Sequence, residues 1–166
     1  SRRKKLTTLE AECPGATILD VTSKADEPWV RFSPFYPHGG IPVPLAEDRT
    51  AQSVEGLWQA LMVFESCDVD ESKVDNATMK NLKRTVRKNG RVLGHRNGLD
   101  GTELLPYVEA RKTIYLPAYR WLLENRLGEE LDQLRALAAE SELVLLDYET
   151  NEDVEDTSKP LSHAGW

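Results

Sequence analysis

The chain has 166 residues, 40% of them hydrophobic and 30% charged, with a net charge of −7. That length suits one compact domain with a single core, and the composition is that of an ordinary soluble globular protein. The acidic balance argues against a general nucleic-acid coat protein, and no apolar run approaches the ~20 residues of a membrane span.

Residues 1–12 open with Ser-Arg-Arg-Lys-Lys and read as a basic, solvated tail rather than a signal peptide. The remainder, 13–166, is expected to form one α+β domain, mainly helical with a few short strands. Cys13 and Cys67 have no metal-ligand spacing and are too few for a disulfide framework, so a reducing cytoplasm is the expected home. No metal, cofactor or membrane partner is expected.

Residues 16–22 (ATILDVT) are β-branched and alternate, which predicts a strand. Trp29 then precedes a proline-punctuated aromatic loop, Arg31-Phe32-Ser33-Pro34-Phe35-Tyr36-Pro37, which cannot continue a helix. Ile41-Pro42-Val43 fits a short edge strand. Ser53 is a plausible N-cap, after which Val54, Leu57, Trp58, Leu61 and Phe64 share one helical face. Glu55, Gln59 and Met62 line the adjoining face.

A second helix is predicted over residues 74–88, through Met79, Leu82 and Val86, with Gly90 ending it. Residues 103–139 read as helical with interruptions. Pro106 is tolerable in a first turn, Pro117 should kink the helix, and Gly128 breaks it again. Residues 142–148 (ELVLLDY) predict the last strand, followed by an acidic loop.

Charge is unevenly placed. Lys80, Lys83, Arg84, Arg87, Lys88, Arg91 and Arg96 crowd the middle, whereas residues 147–156 are strongly acidic. A basic run of this kind is either a solvated helix face or a local phosphate site on an acidic protein.

Glu55 falls in the first helical turn, where the helix dipole and free amides favour the anion by ~0.3–1 kcal/mol. An ionised carboxylate there suits a base, or a group that stabilises a sugar cation; acids also favour helix starts for stability alone. Phe32, Phe35 and Tyr36 offer faces on which bases stack for ~1–3 kcal/mol each, or they fill a core beneath the loop. Trp58 and Trp121 sit at apolar helical positions and read mainly as core. The turn from Arg91 to Gly98 joins arginines to glycines that let a backbone approach a phosphate, or it is a plain C-cap turn. The late acidic segment can bring a second carboxylate to the site, as glycosidic cleavage often requires. Its spacing is not that of an EF-hand, and His163 alone says little. No Walker loop, Rossmann fingerprint, nucleophile elbow or zinc signature is present.

Taken in order, these pieces resemble the NADAR family, the YbiA-like N-glycosidases. That family carries an aromatic Phe-Ser-Asn-Phe loop, a segment close to Ser-Glu-His-Tyr-Phe-Gln-Ala-x-Lys, a basic turn and a late acidic motif. The corresponding residues are Phe32-Ser33-Pro34-Phe35, then Ser53 to Met62, then Arg91 to Arg96, and finally Val144 to Asp156. The resemblance implies hydrolysis of the C–N bond between a ribose and a base. Family substrates include an early riboflavin-pathway intermediate and ADP-ribose attached to guanine in nucleic acid. It therefore implies an ADP-ribose-like or nucleotide ligand, with ADP-ribosylated DNA or RNA as a substrate.

Carried over by position, Glu55 is the catalytic carboxylate, with Asp153 or Asp156 in the place of the late aspartate. Phe32 and Phe35 are the stacking rings, and Arg31, Arg91 and Arg96 hold phosphates. Ser33, Trp58, Gln59 and Gly94 complete the expected binding residues. Met62 stands where the family keeps a lysine, and the late Asp-x-Tyr-Trp-Gly is absent. A non-catalytic binder of ADP-ribose or another nucleotide, descended from that fold, is the main rival. A partner-binding protein that uses its basic helix face is a third reading.

Overall fold

A computed structural model describes residues 4–165, an α+β arrangement in which three small sheets replace one large one. In chain order the elements are α1 (Leu6–Glu12), β1 (Thr17–Asp20), β2 (Ile41–Val43), β3 (Ala46–Ala51), α2 (Val54–Leu61) and β4 (Met62–Phe64). They continue as α3 (Val86–Asn89), β5 (Val92–Arg96), β6 (Leu104–Leu105), α4 (Tyr107–Ala110), α5 (Leu116–Arg126), α6 (Gly128–Glu140) and β7 (Leu143–Leu146). The residues fall into two compact units. One comprises the chain up to Ser33 and from Leu123 onward, the other Pro34 to Leu122.

In the first unit β1 and β7 pair in parallel, from Thr17 opposite Leu143 to Asp20 opposite Leu146. Both strands were predicted from their β-branched, alternating residues, and both are shorter than predicted by a residue or two at each end. The expected tail is corrected: from Leu6 it is helical. Leu6 and Leu9 stand one turn apart, and Leu9 is buried, which a basic opening sequence conceals. Lys4 Nζ donates to both Glu12 oxygens at 2.7 and 2.8 Å across that helix. Residues 1–3 lie outside the described residues.

In the second unit β2 and β3 form an antiparallel hairpin, and β4, β5 and β6 form an antiparallel sheet. Ser53 caps α2 as expected, its Oγ accepting from the Gly56 amide at 3.0 Å. However, α2 stops at Leu61. Met62 is already extended, and β4 takes Phe64 into the sheet. Every residue from 54 to 64 is buried, so apolar spacing could not distinguish a longer helix from a helix followed by a strand. A Cβ on Gly56 would meet the Lys73 carbonyl at 2.6 Å, so glycine lets α2 lie directly against that backbone.

The helix predicted over 74–88 is corrected to a single turn, α3. Met79 and Asn81 have φ of 57° and 59°, outside any right-handed helix. Asn76 and Thr78 turn their side chains onto local backbone instead. The Thr78 amide donates to Asn76 Oδ1 at 2.9 Å, and Asn76 Nδ2 donates to the Lys80 carbonyl at 2.8 Å. Only Val74 and Leu82 of this segment are buried.

Before Pro117 the helix widens into one π-type turn, Arg111–Tyr115, between α4 and α5. Proline lacks an amide hydrogen and its ring crowds the preceding turn, so the expected kink takes the form of this bulge. The interruption at Gly128 is also present, with buried Leu127 ahead of α6.

Candidate functional site

The second unit assembles a polar cluster on α2. Proximity to Pro34 fixes the helix start, because the Glu55 amide donates to the Pro34 carbonyl at 2.8 Å. The Glu55 side chain is buried, and Oε1 accepts from Gln59 Nε2 at 3.0 Å, one helical turn on. Gln59 Oε1 in turn accepts from the Arg84 amide at 2.7 Å. Burial raises the Glu55 pKa above its ordinary 4.5, with the Gln59 hydrogen bond and the Lys83 charge pulling the other way. The helix start was expected to favour the anion, and burial works against it, so that the net shift is upward.

Lys83 was read as one of a row of basic residues on a helix. It instead lies in an irregular segment, with Nζ 5.4 Å from the centre of the half-buried Phe35 ring. Its charge also reaches Glu55. Thus a carboxyl, an amide, an ammonium and an aromatic ring from three separate stretches of sequence share one cluster. Phe35, Glu55 and Gln59 were predicted members. Lys83 was not, since its contribution depends on left-handed turns that break the expected helix.

Arg84 is similarly displaced from its expected solvated role. Its Nη1 donates to the carbonyls of Gln59 and Met62 at 3.0 and 2.6 Å, closing the C-terminal end of α2. Its Nη2 donates to Cys67 Sγ at 3.0 Å and to the Asp68 carbonyl at 2.6 Å.

The other candidates of this unit have structural partners. Trp58 stacks on His95 with centroids 3.7 Å apart, and Tyr107 and Tyr115 meet it edge-on at 5.5 Å. His95 is fully buried, neither ring nitrogen has a hydrogen-bond partner among the described residues, and burial, then Arg84, lowers its pKa to about 3. Arg96 grips Asp68 with Nε and Nη2 at 3.0 and 2.7 Å and donates from Nη1 to the Thr102 carbonyl at 2.7 Å. That fork is therefore committed to a carboxylate. Arg91 is exposed and paired with Glu65 at 3.4 Å. Gly94 lies in β5, where a Cβ would strike the Leu105 carbonyl at 2.5 Å, so close strand packing accounts for its glycine. The expected basic turn is thus largely a strand.

Arg31, Phe32, Ser33, Asp153 and Asp156 belong to the first unit. Arg31 Nε is ion-paired with the buried Glu130 carboxylate. Phe32 is buried, its ring stacked on Trp29 at 6.3 Å, and Ser33 is buried beside it in sequence. Asp153 Oδ1 accepts from the Glu155 amide at 2.9 Å, and Asp156 Oδ1 accepts from the Ser158 amide and hydroxyl at 2.9 and 2.6 Å. Both aspartates shape their own loop in this way.

A cluster that sequence reading passed over lies nearby in the same unit. Asp147 is buried at the end of β7, and its Oδ2 accepts from Ser162 Oγ, the His163 amide and His163 Nδ1, each at 2.9 Å. Oδ1 accepts from the Tyr148 amide at 2.6 Å, and His163 Nε2 lies 2.8 Å from the Val21 carbonyl. Burial alone would raise the Asp147 pKa, but the His163, Ser162 and Tyr148 bonds together lower it. The signal in the sequence was an aspartate closing an apolar strand, with Ser-His fifteen and sixteen residues later. Nothing local links the two.

Among the described residues no group of three or more His, Cys, Asp or Glu side chains is placed to hold a metal ion, and no helix is long and apolar enough to cross a membrane. No curated protein and no solved structure matches the chain. A family model does match, over residues 1–166, and the chain belongs to that family, described as a family of unknown function (DUF6939).

Proposed function

We propose that this protein is an N-glycosidase of the NADAR kind. It would hydrolyse the C–N bond between a ribose and a base, with ADP-ribose on guanine in nucleic acid, or a related nucleotide, as substrate. The supporting observation is the cluster in which the Glu55 carboxyl meets Gln59, the charge of Lys83 and the half-buried Phe35 ring. As the C–N bond lengthens, positive charge develops on the sugar. Burial makes Glu55 a stronger base than an exposed carboxylate, and a cation forming beside it adds to the counter-charge that Lys83 supplies. Glu55 then stabilises the sugar cation and accepts a proton from the attacking water, while the base departs with the C–N bonding pair, rests on Phe35 and takes up a proton in turn.

Lys83 supplies an ammonium to a cluster in which Met62, just past the end of α2, stands where the resembling family keeps lysine. The scheme uses residues of the second unit alone. Arg31, Asp153 and Asp156 have no part in it, and Arg96 stays with Asp68.

The test is release of ADP-ribose from an oligonucleotide bearing ADP-ribosylated guanine. Glu55→Gln is expected to slow it by ~10²–10³, the usual cost of losing one such electrostatic group. Equal release by variant and wild type would overturn the role of Glu55. The buried Met62 supports a second reading, a non-catalytic binder of ADP-ribose or another nucleotide. Calorimetric binding of ADP-ribose with no release from the oligonucleotide would favour it.

A further inference from the structure

A cavity of about 580 Å³ opens in the second unit, within the size range of small-molecule sites. Its wall carries Lys73, Lys83, Arg84 and Lys88 together with Asp68, Asp70 and Glu71. The formal balance is nearly even, but the pairing is not. Asp68 is gripped by Arg96 at 2.7 Å, Glu71 by Arg49 at 3.2 Å, and Asp70 lies 3.9 Å from Lys73. Each acid of the wall therefore has its own cation, two of them supplied from outside the cavity.

The remaining cations form no ion pair among the described residues. The Arg84 guanidinium donates to three carbonyls and a sulfur, all uncharged acceptors, and no carboxylate hydrogen-bonds it, although its charge helps to hold the Asp68 pKa down. Its charge contributes to lowering the pKa of His95. Lys83 and Lys88 are exposed and form no ion pair among the described residues. Thr85, between them in sequence and also in the wall, does not use its hydroxyl to cap α3, which leaves it available as a donor.

We propose that this cavity binds a phosphorylated small molecule through its di- or polyphosphate group. Lys83 and Lys88 meet the phosphate oxygens as point charges, Thr85 donates a hydrogen bond, and Arg84 supplies the positive field beneath. This goes beyond the glycosidase reading, because it needs neither Glu55 nor turnover.

Inorganic pyrophosphate is the probe, followed by isothermal titration calorimetry at low and physiological salt. Saturable 1:1 binding that weakens with salt is expected. Lys88→Gln should raise Kd about tenfold, the effect of removing one nearby charge at a protein surface, and Lys83→Gln with Lys88→Gln more than that. Both side chains are exposed, so unchanged thermal melts are expected to show that the variants are folded. Glu55→Gln should bind pyrophosphate at least as tightly as the wild type, since it removes a carboxylate whose field reaches Lys83, which keeps this outcome separate from that of the ADP-ribose release assay. ADP binding with adenosine silent supports recognition of the phosphates. No saturable heat, a Kd that the double variant leaves unchanged, or adenosine binding as well as ADP overturns the proposal.

Discussion

The two units each bury a carboxylate, and they treat it in opposite ways. Asp147 receives four hydrogen bonds, from Ser162, the amide and ring of His163, and the Tyr148 amide, and its pKa falls despite burial. Glu55 receives one, from Gln59, and burial carries its pKa upward. A fully bonded buried carboxylate holds a fold together. An under-bonded one costs the fold something and keeps capacity for a partner that is not part of the chain. The contrast fits a structural role for Asp147 and agrees with the proposed role for Glu55.

Removing the first carboxylate should have the largest effect. Asp147→Ala leaves the buried Ser162 hydroxyl and the His163 amide and ring without their acceptor and should cost about 3–5 kcal/mol in urea unfolding at pH 7, since each buried polar group left unpaired costs about 1–3 kcal/mol. A loss below 1 kcal/mol would erase the distinction between the two sites. Glu55→Gln should behave in the opposite sense, losing its ~10²–10³ in rate while retaining full stability at pH 7.

The pH dependence sharpens the same contrast. Asp147 binds its proton less tightly folded than unfolded, so its contribution is present above the ordinary 3.8 and is lost as pH falls through its lowered value. Glu55 binds its proton more tightly folded, so its contribution is present below 4.5 and is lost as pH rises through its raised value. Urea midpoints measured from pH 4 to 8 should therefore show Glu55→Gln gaining on the wild type as pH rises. Parallel curves would mean that Glu55 is not buried as a carboxylate.

The smallest effect is expected for Lys83→Met. Removing this charge should push the Glu55 pKa further up, moving the acid limb of kcat/KM to higher pH. The rate at pH 7 should fall by less than about tenfold. An unmoved limb would detach Lys83 from Glu55.

What the sequence revealed depended on whether neighbours in the chain were also neighbours in space. Ser53 and α2 were legible because a cap acts within three residues, and β1 and β7 because β-branched alternation is local. Phe35 stood out in the aromatic loop and Glu55 at the start of α2, while Gln59 was singled out as a binding residue through the family resemblance. The segment around Met79 and Asn81 was not, because Asn76 and Thr78 divert the backbone into turns that apolar spacing does not record. That one misreading hid both Lys83 beside Glu55 and the clamp of Arg84 on α2. The Arg91 to Arg96 stretch misled in another way. Its glycine looked suited to phosphate, whereas its neighbour across the sheet, Leu105, is what requires it.

One consequence of the Gln59 bridge concerns where a proton can sit. Its carbonyl oxygen is held by the Arg84 amide at 2.7 Å, so the side-chain amide cannot turn round and must present its NH2 to Glu55. Oε1 of Glu55 is thereby fixed as an acceptor, and any proton the carboxyl carries belongs on Oε2. The two oxygens, equivalent in a free carboxylate, become chemically distinct. Proton traffic at this site has one address, and the backbone of residue 84 sets it.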